Sequence, residues 1–283
     1  MIRKLLEDNI KNNVPDSKIA VLLSGGVDSI SVALAAHHAG KTVYAYSFHL
    51  DTHETYDFIK AKEVSEYMKW DFTEVVVPTN NIVDDWKTLA EFCRKKTHFE
   101  CVFPFLYVYP QIEEKYVLTG WGADGYFGPS KKAMMRYSSY KKKRNYVAYC
   151  KKHNQKRLNW NEFRIAYLDG DCAGLKQHTR LAEKYNKIHV TPYLDKKVRK
   201  FLMSKSWKEL NKPRQKEIIR SDFTELEKFG TIKPHQNLHL NAGIDKVFKE
   251  LLNNTEINFN NKKRMMDVCR DWYKRENNNV LPI

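Results

Sequence analysis

Two short glycine-bearing stretches, each with one aspartate, concentrate the residues of this chain that could do chemistry: Ser24-Gly25-Gly26-Val27-Asp28-Ser29 and Thr119-Gly120-Trp121-Gly122-Ala123-Asp124-Gly125. In the first, Gly25 and Gly26 let a ligand come close to consecutive backbone N–H groups. Those groups and the positive end of a following helix make a cradle for an anion. Ser24 and Ser29 add hydroxyl donors, and Asp28 supplies a hard oxygen for a Mg²⁺ that shares phosphates. A helix N-cap is the other use of an aspartate at this place. No lysine falls where G-x-x-x-x-G-K-[ST] requires one, and G-x-G-x-x-G is missing as well, so any phosphate here is held in neither of those ways. The second stretch, continuing to Gly128, places Asp124 in a glycine-rich loop. Two aspartates facing one pocket suit a Mg²⁺-polyphosphate.

The elements that must position these loops alternate between strand-like and helix-like patterns. After a short helical pattern over residues 2–12, strands are predicted at Ile19–Leu23, Thr42–Phe48, Phe72–Val77 and Tyr116–Thr119. Helices are predicted at Ser29–His38, ended by Gly40, at Tyr56–Lys69 with Ile59, Val64 and Tyr67 inward, and from Asn80 through Cys93. Alternation of this kind predicts an α/β fold whose parallel sheet has right-handed crossovers. Ligands on such sheets sit at the carboxyl ends of the strands, where both glycine turns fall. From Ser130 onward the pattern is mostly helical, which divides the chain into an α/β nucleotide-binding core over 1–130 and a helical part over 131–283.

Composition narrows the class. A chain of 283 residues with 42% hydrophobic content can bury a substantial core. It carries no leader pattern and no apolar run of membrane-spanning length, so a soluble cytoplasmic protein without membrane contact is expected. The cysteines Cys93, Cys101, Cys150, Cys172 and Cys269 are scattered, with no C-x-x-C, which argues against a disulfide framework or a zinc or iron–sulfur site. The net charge of +15 favours polyanionic partners. Much of it is concentrated in Lys131, Lys132, Arg136, Lys141, Lys142, Lys143, Arg144, Lys151, Lys152, Lys156 and Arg157, a stretch without a carboxylate. A solvated helix face and a nucleic-acid surface over 131–157 both fit that pattern. The interleaved Tyr137, Tyr140, Tyr146 and Tyr149 read as core positions rather than base-stacking platforms.

The stretch "SGGVDS" resembles the pyrophosphate loop of the N-type ATP pyrophosphatases, the PP-loop family, which cleave ATP between its α- and β-phosphates. Within that group the chain is similar to the synthetase domain of asparagine synthetase and its β-lactam synthetase relatives. "TGWGADGYFG" resembles the second motif of that branch, S-G-E-G-[AS]-D-E-x-F-G-G. "YSFHLDTHETYDFIKAKEVSEYM" is similar to its second strand and following helix, "HTRLAEKYNKIHVTPYLDKKVRKFL" to the region ending in R-V-P-F-L-D, and "KPRQKEIIR" to its K-x-x-L-R helix. The resemblance implies an adenine nucleotide alpha hydrolase-like (HUP-type) core with a helical extension, and ATP and Mg²⁺ as cofactors. It implies that Leu23, Ser24, Gly25, Gly26, Asp28 and Ser29 hold ATP, with Ser47 and Phe48 near the adenine and Thr119 and Gly120 on the nucleotide. Asp28 and Asp124 would be the magnesium ligands, Asp124 counting also as catalytic. Lys233 in "GTIKPHQNLHLNAGI" would be the catalytic lysine that stabilises developing negative charge.

Three departures qualify the resemblance. The chain starts Met1-Ile2-Arg3 and reaches its phosphate loop at once, so the family's N-terminal glutaminase domain is missing and nitrogen is expected from free ammonia, a separate glutaminase or an amine-bearing substrate. Trp121 stands for the glutamate of S-G-E-G and Gly125 for its final acidic residue, which removes carboxylate chemistry expected at the amine-acceptor step. "KIHVTPYLD" lacks the Glu and Arg of E-x-R-V-P-F-L-D. The expected activity is an ATP-dependent, AMP- and pyrophosphate-forming ligase that joins a small-molecule carboxylate to ammonia or an amine. A nucleic-acid-modifying PP-loop enzyme acting on tRNA or DNA, and a degenerate nucleotide-binding module, are the alternatives.

Overall fold

After the exposed Lys18, the strand Lys18–Leu22 (β1) is an apolar run buried on both faces, as a central strand of a parallel sheet must be. A computed structural model describes residues 1–82, 99–127, 160–169, 174–233 and 238–244, with isolated positions between and beyond them. β1 pairs in parallel with Thr42–Leu50 (β2) on one side and Tyr116–Leu118 (β4) on the other. Asp71–Val77 (β3) extends the sheet beyond β2, and Ile188–Val190 (β5) extends it beyond β4, giving the order β3-β2-β1-β4-β5. Every named pairing is parallel, so the α/β, parallel-sheet expectation holds.

Alternation along β1 divides the core between two faces. Ile19 and Val21 join Val43, Ala45 and Leu118 beneath the helices Ile2–Asn13 (α1) and Val27–His38 (α2). Ala20 and Leu22 join Tyr46, Val75 and Val117 against Phe103, Phe105, Tyr109 and Leu181. α2 is apolar nearly all round and is buried along most of its length, the pattern of a helix inside a core rather than at a surface. α1 buries Ile2, Leu6 and Ile10, one residue per turn, and packs on α2 and on the helices Lys196–Met203 and Glu217–Asp222. The described part beyond residue 160 is mostly helical, as expected, and includes Leu175–Lys184 and Trp207–Asn211.

Two expectations are corrected. The mostly helical pattern past Ser130 predicts no strand at β5; it is three residues long and only half buried, too short for a periodic signal, and its place is set by pairing with β4. In Tyr56–Met68 (α3) the inward face is Phe58, Ala61, Val64 and Ser65, while Ile59 and Tyr67 are 42% and 55% exposed. The i, i+3, i+7 spacing set by Phe58 wins over the shifted one through Ile59, and Tyr67 instead leans edge-on against Phe229 at 5.5 Å. Observed strand ends differ from expectation by one or two residues. The basic stretch apart from Lys151 and Lys152, half of the expected helix from Asn80 through Cys93, and the four tyrosines at 137–149 lie outside the described residues. No described helix is long and apolar enough to cross a membrane.

Candidate active site

The sheet order reverses at β1, whose neighbours β2 and β4 carry connections to opposite sides, and the crevice at such a switch point is where open α/β sheets bind ligands. The loops after β1 and after β4 both open there and are pressed together. A Cβ on Gly120 would lie 2.7 Å from the Asp28 carbonyl carbon and 2.8 Å from the Ser29 nitrogen. Glycine at 120 therefore lets the second loop lie on the first.

The first loop is closed by its own hydroxyls. Ser24 N donates to Ser29 Oγ at 3.1 Å, the two Oγ atoms are 3.0 Å apart, and Ser29 Oγ donates to Gly26 O at 3.1 Å. Gly25 is left-handed (φ +66°), and a Cβ there would meet the Asp57 carbonyl oxygen at 2.4 Å, so α3 backs the loop from behind. Gly26 is the N-cap of α2, and Asp28 is the second residue of the helix itself. The N-cap alternative for Asp28 is thereby excluded, and its carboxylate is available to the crevice.

Asp28 meets Asp124 through a residue the sequence reading did not single out. Lys216 Nζ donates to Asp28 Oδ2 at 2.5 Å and to Asp124 Oδ1 at 2.8 Å, with only 6% of the lysine side chain exposed. Its backbone is left-handed (φ 61°, ψ 31°), which costs a non-glycine residue on the order of 1 kcal/mol or more. Asn211 holds that conformation: its Oδ1 accepts from Lys216 N at 3.1 Å, and its Nδ2 donates to Phe127 O at 3.2 Å, tying the lysine to the end of the second loop. Lys216 opens the run Lys216-Glu217-Ile218-Ile219-Arg220, the K-x-x-L-R pattern with Ile219 for Leu, so the motif marks its position although nothing in it announces contact with the two aspartates.

Burial and charge shift these groups strongly. Desolvation pushes the Asp28 carboxyl up to about 7, with the Asp124 charge adding to the rise and Lys216 opposing it. Burial works against the Lys216 ammonium, but Asp124 and Asp28 together outweigh it and hold its pKa above the ordinary lysine value. Asp28 Oδ1 is buried without a hydrogen-bond partner. An unpartnered carboxylate oxygen beside a second carboxylate is a hard, oxygen-only donor set that fits Mg²⁺, so Asp28 and Asp124 are the residues that would hold it.

Around the second loop the lining is aromatic. Trp121 packs tilted against His178 with ring centroids 4.1 Å apart, and His178 also meets Phe105 edge-on at 4.2 Å. Burial keeps His178 well below the ordinary histidine value, and lowers His189 to about 4, so both rings are neutral at pH 7. Thr119 Oγ1 is 2.9 Å from His189 Nε2, and Thr119 N donates to Val190 O, fixing the start of the loop on β5. Ser47 is buried near the carboxyl end of β2, next to Phe48, whose ring meets Phe105 at 5.5 Å. Leu23 is buried and donates its N–H to Tyr46 O.

The model of the asparagine synthase family matches residues 1–228, from α1 through both loops to Lys216 and beyond. The chain belongs to the asparagine synthase family. A carboxyethyl-arginine beta-lactam-synthase of Streptomyces clavuligerus is 29% identical to this family member over 128 residues, 44% of this chain and 25% of the relative. The match thus spans about a quarter of that relative's length. Among solved structures, an NMN synthetase of Francisella tularensis (15% identity, 68% of this chain, 97% of the other, TM-score 0.34) and an NH3-dependent NAD synthetase of Campylobacter jejuni (13% identity, 83% and 96%, TM-score 0.33) are similar only loosely.

Lys233 lies past the residues the family model matches. It is not with the aspartates: its exposed ammonium stands 3.9 Å over the Tyr56 ring, at the start of α3 and beside Asp57. Tyr56 OH donates to Thr231 O, and Lys60 Nζ donates to Phe229 O at 3.0 Å, so this segment is strapped to the helix that backs Gly25. Within the asparagine synthase fold, then, Lys216 and Lys233 hold different stations: one between the carboxylates, the other at the helix behind the phosphate loop.

Proposed function

We propose that this family member is an ATP-dependent carbon–nitrogen ligase. A carboxylate oxygen of the acyl substrate attacks the α-phosphorus of ATP, the α–β phosphoanhydride bond breaks, and pyrophosphate leaves. Ammonia or an amine then attacks the activated carbonyl, and AMP leaves with the former carboxylate oxygen as the amide forms. The single observation that carries this reading is the pairing of Asp28 and Asp124 at the switch point, with one oxygen of Asp28 unpartnered. The sequence match to the family adds the reaction class.

The chain's own residues divide the work. Backbone N–H groups of Gly25 and Gly26, with the hydroxyls of Ser24 and Ser29 turned out from their bonds within the loop, hold the pyrophosphate, while the adenine lies toward Ser47 and Phe48 and Thr119 and Gly120 face the nucleotide. Asp28 and Asp124 would hold Mg²⁺, which supplies charge neutralisation on the phosphates. Lys216, freed from the carboxylates, turns its ammonium to phosphate oxygens. Lys233, which stands over Tyr56 behind the phosphate loop, stabilises charge at the carbonyl stage once its segment swings round to the crevice. Trp121 offers no carboxylate to bind an amino group, and the neutral rings of His178 and Phe105 beside it favour a less polar acyl or amine group than aspartate carries.

A second reading, a nucleotide-binding module without turnover, is favoured by Lys216, whose ammonium already bonds one oxygen of each carboxylate. One assay separates the two: AMP and pyrophosphate formation from Mg²⁺-ATP, scanned over aspartate, other amino acids and apolar carboxylates with ammonium or amines, and over tRNA and DNA as bearers of either group. Stoichiometric AMP and amide with one combination, lost in Asp28→Ala, supports the ligase. ATP binding with no AMP under any combination supports the module.

A further inference from the structure

We propose that His49, Glu54 and Glu74 form a second, separate cation site, for a borderline divalent first-row metal of the zinc class. His49 is the penultimate residue of β2, and its imidazole is buried against the Phe58 ring at 4.6 Å. Nδ1 faces Leu50 O at 2.8 Å, and Nε2 faces Glu74 Oε1 at 3.0 Å. Both neighbours are acceptors, and a neutral imidazole carries a single N–H. With that proton on Nδ1, the Nε2 lone pair points at a carboxylate oxygen, an arrangement that a cation between the two atoms resolves.

The third group completes a set. Glu54, in the β2–α3 connection, brings a carboxylate oxygen to the same place, and one donor atom from each of the three residues lies within 4.8 Å of the other two. Ligand atoms that sit about 2.0–2.2 Å from a zinc ion stand about 3–4 Å from one another, so the observed spacing needs only small side-chain movement. Nδ1–H donated to a backbone carbonyl is the second contact that fixes the tautomer and ring orientation of a metal-bound histidine. One nitrogen and two carboxylates suit zinc-class ions better than magnesium, which takes oxygen ligands. Lys62 Nζ, 3.6 Å from Glu74 Oε2, is the competing cation, and protonation of Nε2 to an imidazolium is the competing proton.

The site joins three pieces of the fold: β2, the edge strand β3 and the connection into α3. Thr55, next to Glu54, caps α3 by accepting from Phe58 N, and two residues further on the Asp57 carbonyl backs Gly25. A metal here pins the support of the phosphate loop without touching the reacting groups.

Titration of the full-length protein with Zn²⁺ by calorimetry, without ATP, tests the proposal, with Co²⁺ absorption as a probe of nitrogen and oxygen ligation. One ion per chain is expected in the micromolar range or tighter. Glu74→Gln and Glu54→Gln, both at exposed positions that leave the core intact, should each weaken binding by about 10-fold or more. Lys62→Gln should tighten it, and Asp28→Ala should leave it unchanged. Binding that is equally tight in the two glutamate variants, a Co²⁺ spectrum showing thiolate ligation, or no binding below millimolar Zn²⁺ would overturn the assignment and leave His49 and Glu74 as an ion pair.

Discussion

Gly120 and Asp28, from loops that follow different strands, touch so closely that a single methyl group on Gly120 would fall 2.7 Å from the Asp28 carbonyl carbon. The contact is backbone against backbone, so no flexible side chain can move aside. Gly120→Ala should therefore destabilise the protein by about 1–3 kcal/mol and weaken ATP binding at the same time. Denaturant unfolding and nucleotide titration of the same variant check both effects. Unchanged stability with unchanged ATP affinity would show that the two loops separate readily.

Lys216 is the buried counterion of two carboxylates, and removing it leaves them facing each other. Lys216→Met should cost about 3–5 kcal/mol near pH 8. The loss should shrink on acidification: without the ammonium the Asp28 pKa, already raised to about 7, rises further above its unfolded value. A carboxyl with a raised folded pKa costs stability as pH climbs from the unfolded value through the folded one, and the cost is absent below both. Urea denaturation from pH 5 to pH 8 reads this directly, and a penalty that grows toward acid would contradict it.

The same raised pKa sets a pH dependence on metal binding. Protonated Asp28 has no charge to offer a cation, so apparent Mg²⁺ affinity should fall as pH drops through about 7. The midpoint should move to lower pH as Mg²⁺ is increased, because metal and proton compete for one oxygen pair. Asp124, Lys216 and the buried Tyr193, whose hydroxyl is 2.7 Å from Ser31 Oγ, face the same crevice. Asp28→Asn should abolish the metal-dependent shift. A midpoint indifferent to Mg²⁺ would place the titration elsewhere.

Lys233 offers a cleaner separation of stability from chemistry. Its side chain is exposed and its described partners are Tyr56 and Asp57, so Lys233→Ala should change stability by about 0.5 kcal/mol or less. As a charge-stabilising group it should cost about 100-fold or more in kcat, with little change in the KM for ATP. A variant with full turnover would return Lys233 to the surface lysines and leave the carbonyl stage to another group.

The parts of this fold that were legible in the sequence are those where local pattern and tertiary role agree. The buried run Ile19–Leu22 followed by Ser24–Gly26 announces both a central strand and an anion cradle, and Asp28 with Asp124 follows from two glycine loops at strand ends. β5 was hidden because Ile188–Val190 is short, half buried and held by its pairing with β4 rather than by its own composition. Lys216 was hidden for another reason. The K-x-x-L-R pattern at Lys216–Arg220 marks the residue, but its left-handed backbone and its contact 188 residues away leave no trace in a lysine-rich sequence. The misplaced face of α3 shows the limit of periodicity where two apolar positions, Phe58 and Ile59, are adjacent and only one can point inward.

The central claim, that the Asp28–Asp124 crevice activates a carboxylate at the α-phosphate of ATP, is tested most directly by exchange of labelled pyrophosphate into ATP. The exchange should require Mg²⁺ and a carboxylate but no amine, and should vanish in Asp28→Ala and Asp124→Ala while Lys233→Ala keeps at least part of it. ATP bound with no exchange for any carboxylate, or cleavage that releases phosphate and ADP instead, would contradict the account.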